Sequence, residues 1–339
     1  MAKIKTALVT GGAGFIGSNL VARLIRDGVS VTILDDLSTG RKENLKTVES
    51  RLKFIEGSIC DDVSVADAVK GVDTIFHLAA IPSVPRSFQF PRETAEVNVG
   101  GTVKLLVAAV KNNVRRLVFV SSSSVYGDTP TLPKREDMPA NPISPYGASK
   151  LAGEYYCRVF SPVRNLCDGK FNVSSDEKLL PENISNGVSK NNPLETVSVR
   201  FFNVYGPHQN PDSQYAAVIP IFTKKLLAGE PPVIYGDGEQ TRDFTFVGDA
   251  VEGLILSATT KNINGEVINV AGGNMISVNK LAQVLAKIIG KDIKPIYKPA
   301  RQGDILHSYA DISKAVRILG YNPKTTLEDG LITTISKFK

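Results

Sequence analysis

The sequence predicts a doubly wound α/β fold, a parallel sheet covered by helices on both faces, with a smaller C-terminal α/β lobe after it. Three observations carry that prediction. Short apolar runs alternate with longer stretches of helical spacing from the first residues to about residue 200. The runs are continuously apolar rather than polar at every second residue, as in strands buried on both faces. The first run leads directly into a cluster of glycines that opens a helix.

Thr6–Thr10 is the first strand, Gly11–Gly17 the turn, and Phe15–Arg26 a helix with Ile16, Leu20 and Leu24 at helical spacing. Val29–Leu34, Leu52–Glu56, Thr74–His77 and Arg116–Val120 follow as strands, with a long helical stretch around Ala95–Lys111. Tyr146–Phe160 reads as a helix and Thr196–Phe201 as the strand after it. Beyond Asn203 the elements shorten between turn signals such as Pro231-Pro232 and Gly236-Asp237-Gly238, which divides the chain into a sheet domain at 1–202 and a lobe at 203–339. The polar stretch 161–192 sits between a helix and the next strand, where about two to six residues usually suffice. Such connections lie opposite the ligand-binding edge of a parallel sheet, so a surface insertion is expected there rather than a lid.

Composition narrows the function. The 339 residues are 42% hydrophobic and 22% charged, an ordinary soluble balance. A net charge of +6 is thinly spread without a basic block, which argues against nucleic acid and leaves room for a small anionic substrate. Cys60, Cys157 and Cys167 are too few and scattered for a disulfide framework, which favours a reducing compartment. The first residues lack the apolar stretch of a signal peptide, and no run approaches the about eighteen apolar residues of a membrane span. The expectation is a cytoplasmic enzyme. His77, His208 and His307 lie far apart without companion cysteines, so no metal is expected.

The glycines have the spacing of a phosphate cradle. Gly11 makes the tight turn, Gly14 lets backbone approach a pyrophosphate, and Gly17 lets helix and strand pack closely. Asp35 ends the second strand eighteen residues after Gly17, where a carboxylate accepts from an adenosine ribose. Its charge repels a 2′-phosphate, so NAD is favoured over NADP. Tyr146 and Lys150 stand at i and i+4 on one helix face. A free phenol titrates near 10 and is a poor base at neutral pH. A neighbouring ammonium and a cationic nicotinamide would lower it. The run Ser121–Ser124 before Val125-Tyr126-Gly127 ends a strand, at the edge where a parallel sheet presents side chains to its ligand.

These motifs together resemble the extended short-chain dehydrogenase/reductase superfamily, whose sheet is of the Rossmann type. The runs Arg200–Pro207 and Gly236–Phe244 resemble its nucleotide-sugar epimerase and dehydratase members, and the likeness covers nearly the whole chain outside 161–192. The resemblance implies that Tyr146 removes the sugar C4-hydroxyl proton as hydride passes to tightly held NAD. Ser122 would hydrogen-bond that oxygen, and Lys150 would hold the nicotinamide ribose. It further brings Phe15, Ile16, Ser58, Ile59, Leu78, Ala79, Ala80, Asn98, Ser121 and Phe202 to the cofactor. Ser58 stands where many relatives carry an Asp against the adenine, which implies a weaker contact there.

Dehydratases and decarboxylases of the family carry a carboxylate just before the Val-Tyr-Gly. Here Ser123-Ser124 stand in its place, which leaves 4-epimerisation of a UDP-hexose. A uronate epimerase or dehydratase is the alternative, and a catalytically silent NAD-sensing protein a more distant one. On the substrate side the resemblance assigns Asn203, Arg242, Arg301 and Asp304 to UDP. Ser83, Arg86, Ser123, Ser124, Ala216, Val218 and Tyr235 are assigned to the substrate as well. Ser308 takes the position that gates a C2 N-acetyl group: being small, it implies a pocket open to UDP-GlcNAc and UDP-GalNAc beside UDP-Glc and UDP-Gal. The Tyr146–Phe160 helix commonly packs against its twin in this superfamily, so a homodimer is expected, with Tyr155-Tyr156 at the interface or in the core.

Overall fold

The computed structural model describes residues 2–161, 194–210, 217–300 and 306–337. Its centre is a seven-stranded sheet of β1 Thr6–Thr10, β2 Ser30–Asp35, β3 Leu52–Glu56, β4 Thr74–His77, β5 Arg116–Ser122, β6 Glu195–Phe201 and β7 Glu266–Val270. Their order across the sheet is β7-β6-β5-β4-β1-β2-β3, every pair parallel. The order reverses between β1 and β4, so the connections leave their carboxyl ends in opposite directions and open a crevice there.

Helix α1 (Phe15–Arg26) covers one face with Leu20, Val21, Leu24 and Ile25, all 2% exposed or less, each side chain worth about 1.5–3 kcal/mol of transfer from water. The other face is covered by α2 (Asp62–Val69), α3 (Thr102–Lys111) and α4 (Pro145–Phe160), which bury Leu8, Leu34, Ile75, Leu117 and Phe119. A separate core around Phe222, Leu226, Leu281, Leu285 and Leu331 holds the smaller lobe together.

Two features differ from the expectation. The seventh strand comes from beyond residue 203, and helix α5 (Val247–Thr259) packs against α1, β5 and β6, so the sheet layer takes chain from both sides of the 202/203 division. The run Glu266–Val270 is interrupted by Glu266 and Asn269 and so does not stand out by pattern, yet it pairs residue for residue with Val197–Phe201. The long helical stretch is also not one α-helix: Pro91–Ala95 is α-helical, Glu96–Gly101 π-helical, and α3 follows. A Cβ on Gly101 would stand 2.6 Å from the Ile59 side chain, which shows how closely the widened turn presses on its neighbour. Of the polar stretch 161–192, all but Ser161 lies outside the described residues, as do Ala216, Arg301 and Asp304.

Candidate active site

The crevice at the carboxyl ends of β1 and β4 begins with Gly11, whose φ of +70° belongs to glycine. A Cβ there would lie 2.8 Å from the Ala79 nitrogen, and one on Gly17 would meet the Gly11 carbonyl and lie 2.8 Å from the Gly12 Cα. Gly14 caps α1 without a side-chain hydrogen bond, leaving the helix's first amides to a ligand. Phe15 and Ile16 are half-buried behind it. Asp35 ends β2 almost fully buried, accepting from Ala13 N at 2.9 Å and Leu37 N at 2.9 Å. Burial raises its carboxyl above the ordinary range while the two amides pull it back. A side-chain-free cradle under a helix start, with a carboxylate one strand away, fits the pyrophosphate and ribose of a dinucleotide.

Buried His77 locks this crevice. Thr10 Oγ1 accepts from Leu78 N and Ala79 N, both at 3.2 Å, so its proton goes to His77 Nδ1 at 2.8 Å. Thr102 Oγ1 donates to Asn98 O at 2.6 Å and therefore accepts from His77 Nε2 at 2.9 Å. The imidazole is held neutral, protonated on Nε2, and burial pushes its pKa down to about 3. Neither Thr10 nor Thr102 stood out in the sequence, since their meeting with His77 spans 67 and 25 positions. The Asn98 amide is spent on Ile81, at 2.8 and 3.2 Å, and on Ser149 Oγ at 3.0 Å. Ile59 is buried, and Ser58 Oγ accepts from Cys60 N at 3.2 Å.

The reactive side chains gather where β5 ends. Ser122 accepts from Ser124 N and donates to Ser124 Oγ, both at 3.1 Å, forming a turn of hydroxyls with Ser123 half-buried between them. Helix α4 brings Tyr146 to Ser122, with Ser144 capping through Gly147 N at 3.0 Å and Pro145 at its first position. Lys150 donates to Val120 O at 2.9 Å, its Nζ 6.0 Å from the Tyr146 ring centroid. Burial pushes the Lys150 ammonium down to about 8. Burial also raises the Tyr146 phenol, and the Ser122 hydroxyl pulls it back. The lowered phenol expected from the Tyr–Lys pair is therefore not a property of the polypeptide alone.

Behind these groups lies a buried ion pair that sequence reasoning did not single out. Arg200 grips Glu154 through Nε at 2.8 Å and Nη2 at 2.7 Å, both side chains 5% exposed. Ser121 Oγ donates to the same carboxylate at 2.5 Å, so Ser121 fastens β5 to α4. Phe202 is fully buried against Tyr126, Ala271 and Ala310.

On the lobe side, Asn203 has a φ of +32° and donates to Asp243 O at 3.3 Å. Arg242 Nη1 donates to Thr241 O at 2.8 Å and Leu306 O at 3.2 Å. Ser308 N donates to Thr241 O at 3.1 Å, laying half-buried Ser308 alongside Arg242. Tyr235 and Val218 are half-buried at the end of a strand and the start of a helix. Ser83 caps the helix Val84–Gln89 through Arg86 N at 3.2 Å, and Arg86 pairs with Glu93 at 2.8 Å.

Comparison with known proteins points the same way. The family model described as "NAD dependent epimerase/dehydratase family" matches residues 7–166 and 175–271. The UDP-glucose 4-epimerase of Mycolicibacterium smegmatis is 40% identical over 336 residues, with 98% of each chain covered. The solved UDP-N-acetylglucosamine 4-epimerase of Methanobrevibacter ruminantium, in complex with UDP-N-acetylmuramic acid, superposes with a TM-score of 0.86 at 38% identity, covering 99% of each chain. The UDP-glucose 4-epimerase of Thermotoga maritima with UDP-glucose gives a TM-score of 0.84 at 35% identity, covering 98% of each.

Proposed function

This chain belongs to the NAD-dependent epimerase/dehydratase family, and from that premise we propose that it interconverts UDP-hexoses at C4, taking UDP-GlcNAc and UDP-GalNAc beside UDP-Glc and UDP-Gal. The observation that carries this reading is the hydroxyl turn Ser122–Ser124 facing Tyr146, where the eliminating members of the family carry a carboxylate. Bound NAD supplies the reversible acceptor for the C4 hydride. Gly11, Gly14 and Gly17 would hold its pyrophosphate, Asp35 the adenosine ribose and Lys150 the nicotinamide ribose. Tyr146 Oη takes the C4-hydroxyl proton and Ser122 Oγ orients that oxygen, so both faces of a 4-keto sugar can be served once it turns. Arg242 and Arg301 would neutralise the diphosphate, and Asp304 would accept from the uridine ribose.

The test is incubation of UDP-GlcNAc, and separately UDP-Glc, with the purified protein without added NAD, followed by proton NMR of the anomeric signals. The expected result is each C4 epimer approaching an equilibrium mixture. A 4-keto-6-deoxy product, or silence on both sugars with NAD added, overturns the reading.

We further infer a homodimer through α4, on whose outer face Tyr155 is 58% and Val159 65% exposed. Val159→Arg should then shift gel-filtration elution from dimer to monomer; a monomeric unaltered chain refutes the idea. Free thiols at Cys60 and Cys157 support a cytoplasmic setting.

A further inference from the structure

Asp243 is fully buried, and among the described residues its carboxylate is met by backbone amides. Gly273 N donates to Oδ1 at 3.1 Å from the turn that follows β7, and Ala310 N donates to Oδ2 at 3.2 Å from the segment that carries Ser308. The amides of Gly272 and Asn274 also turn toward it. The packing leaves no slack, since a Cβ on Gly272 would stand 2.6 Å from Phe244 O and 3.2 Å from Asp243 Oδ1. The Ser308 segment is stitched along the same line by Thr241 N to Leu306 O at 2.9 Å and, on its other side, by Lys134 N to Tyr309 O at 2.7 Å. One carboxylate thus joins the sheet layer to the strip of chain that bears Ser308 and runs beside Arg242.

We propose that Asp243 is a positioning residue for the substrate: its ionised carboxylate pins the Ser308 segment against the Gly272–Gly273 turn and so sets the sugar pocket and the place of Arg242. This rests on the reading that Ser308 and Arg242 face a nucleotide sugar. A carboxylate is needed because both oxygens face N–H donors; an amide or protonated carboxyl turns a hydrogen toward one of them. Burial holds the carboxyl up at about 6, with the surrounding amides pulling it back, so the clamp weakens as the pH falls through that value. Two titratable side chains share the strip: His307, whose Nδ1 meets Thr241 Oγ1 at 2.9 Å, and Glu136, which accepts from Asn269 N at 2.8 Å. It is therefore the comparison with Asp243→Asn, not the break alone, that assigns the pH dependence. The Tyr321 phenol bonds Ala271 O at 3.1 Å, the Lys134 ammonium turns to Thr129 O, and the Arg242 guanidinium turns to Thr241 O and Leu306 O.

The experiment compares the NAD-loaded protein with Asp243→Asn between pH 5 and 8, using UDP-Glc, whose esterified diphosphate does not titrate there. Expected for the unaltered protein is a KM constant above about pH 7 that rises below 6, with kcat little changed. Asp243→Asn should show a KM about tenfold higher at pH 8, without the break, and normal NAD content. A variant with unchanged KM, a break that persists in it, or a loss confined to kcat overturns the proposal. Amide NMR of the unaltered protein gives the second readout: Gly273 and Ala310 should shift together with one midpoint near 6, and amides that stay still refute it even if the variant does not fold. An unaltered protein inactive on every nucleotide sugar defeats the functional reading instead, while the amide titration still decides the clamp.

Discussion

Gly11→Ala and Gly28→Ala separate backbone strain from close packing in the cradle. Both glycines have left-handed φ, +70° and +80°, so alanine costs each about 1–2 kcal/mol. A Cβ on Gly28 meets nothing within 4 Å, whereas one on Gly11 meets Ala79 N at 2.8 Å, Ala79 Cα at 3.0 Å and Leu78 C at 3.1 Å. Those atoms are backbone, and they cannot retreat freely because Leu78 N and Ala79 N are tied to Thr10 Oγ1. Overpacking adds about 1–3 kcal/mol, for a total of about 2–5 at Gly11 against about 1–2 at Gly28. At about 2–4 °C of melting temperature per kcal/mol, Gly11→Ala should melt several degrees below Gly28→Ala. It should also release less NAD per chain on acid treatment, while Gly28→Ala keeps the full amount. Equal melting temperatures, or full NAD retention by Gly11→Ala, would refute the close approach of Gly11 to the Ala79 turn.

Three further outcomes are expected. Tyr146→Phe lowers turnover by about 10²–10⁴ with NAD content unchanged, and turnover within tenfold of normal would remove Tyr146 from proton transfer. Lys150, depressed from 10.5 to about 8, binds its proton less readily in the folded than in the unfolded chain, so stability rises with pH from 8 to 10.5 and the burial cost is fully present below 8. Lys150→Met should therefore melt no lower than the unaltered protein at pH 7, with a difference that moves against the variant as pH rises through that window, while turnover falls about a hundredfold; a variant that melts far lower at pH 7 yet keeps its turnover contradicts this. Ser308→Tyr should abolish turnover of N-acetylhexosamine substrates and spare UDP-Gal, and equal loss of both counts against a gating role.

The sheet was legible because its strands are short stretches rich in apolar and β-branched residues between turn signals, unbroken in Leu117–Val120 and interrupted by Ser198 and Arg200 in Thr196–Phe201. Strand β7 was not, because Glu266–Val270 owes its place to pairing with β6 and not to its own pattern. The π-helical turn at Glu96–Gly101 escaped for a related reason: its spacing differs from an α-helix by less than local periodicity resolves. In the site, the glycines, Asp35, Ser122, Tyr146 and Lys150 were readable because each pattern is compact in sequence. The Thr10–His77–Thr102 chain, the Glu154–Arg200 pair and the Asp243 clamp were not, since their partners are brought together only by the fold. Burial also inverts what proximity suggests: Tyr146 lies beside an ammonium yet sits above the ordinary phenol range.

The most direct test of the central claim is to run the reaction in D₂O with UDP-GlcNAc and weigh the product after its hydroxyls are exchanged back in H₂O. A C4 epimerase that returns the same hydride to the other face yields UDP-GalNAc with no deuterium on carbon. Deuterium at C5 or C6, or a product lighter by water, would mean that elimination chemistry runs in this site and would contradict the account.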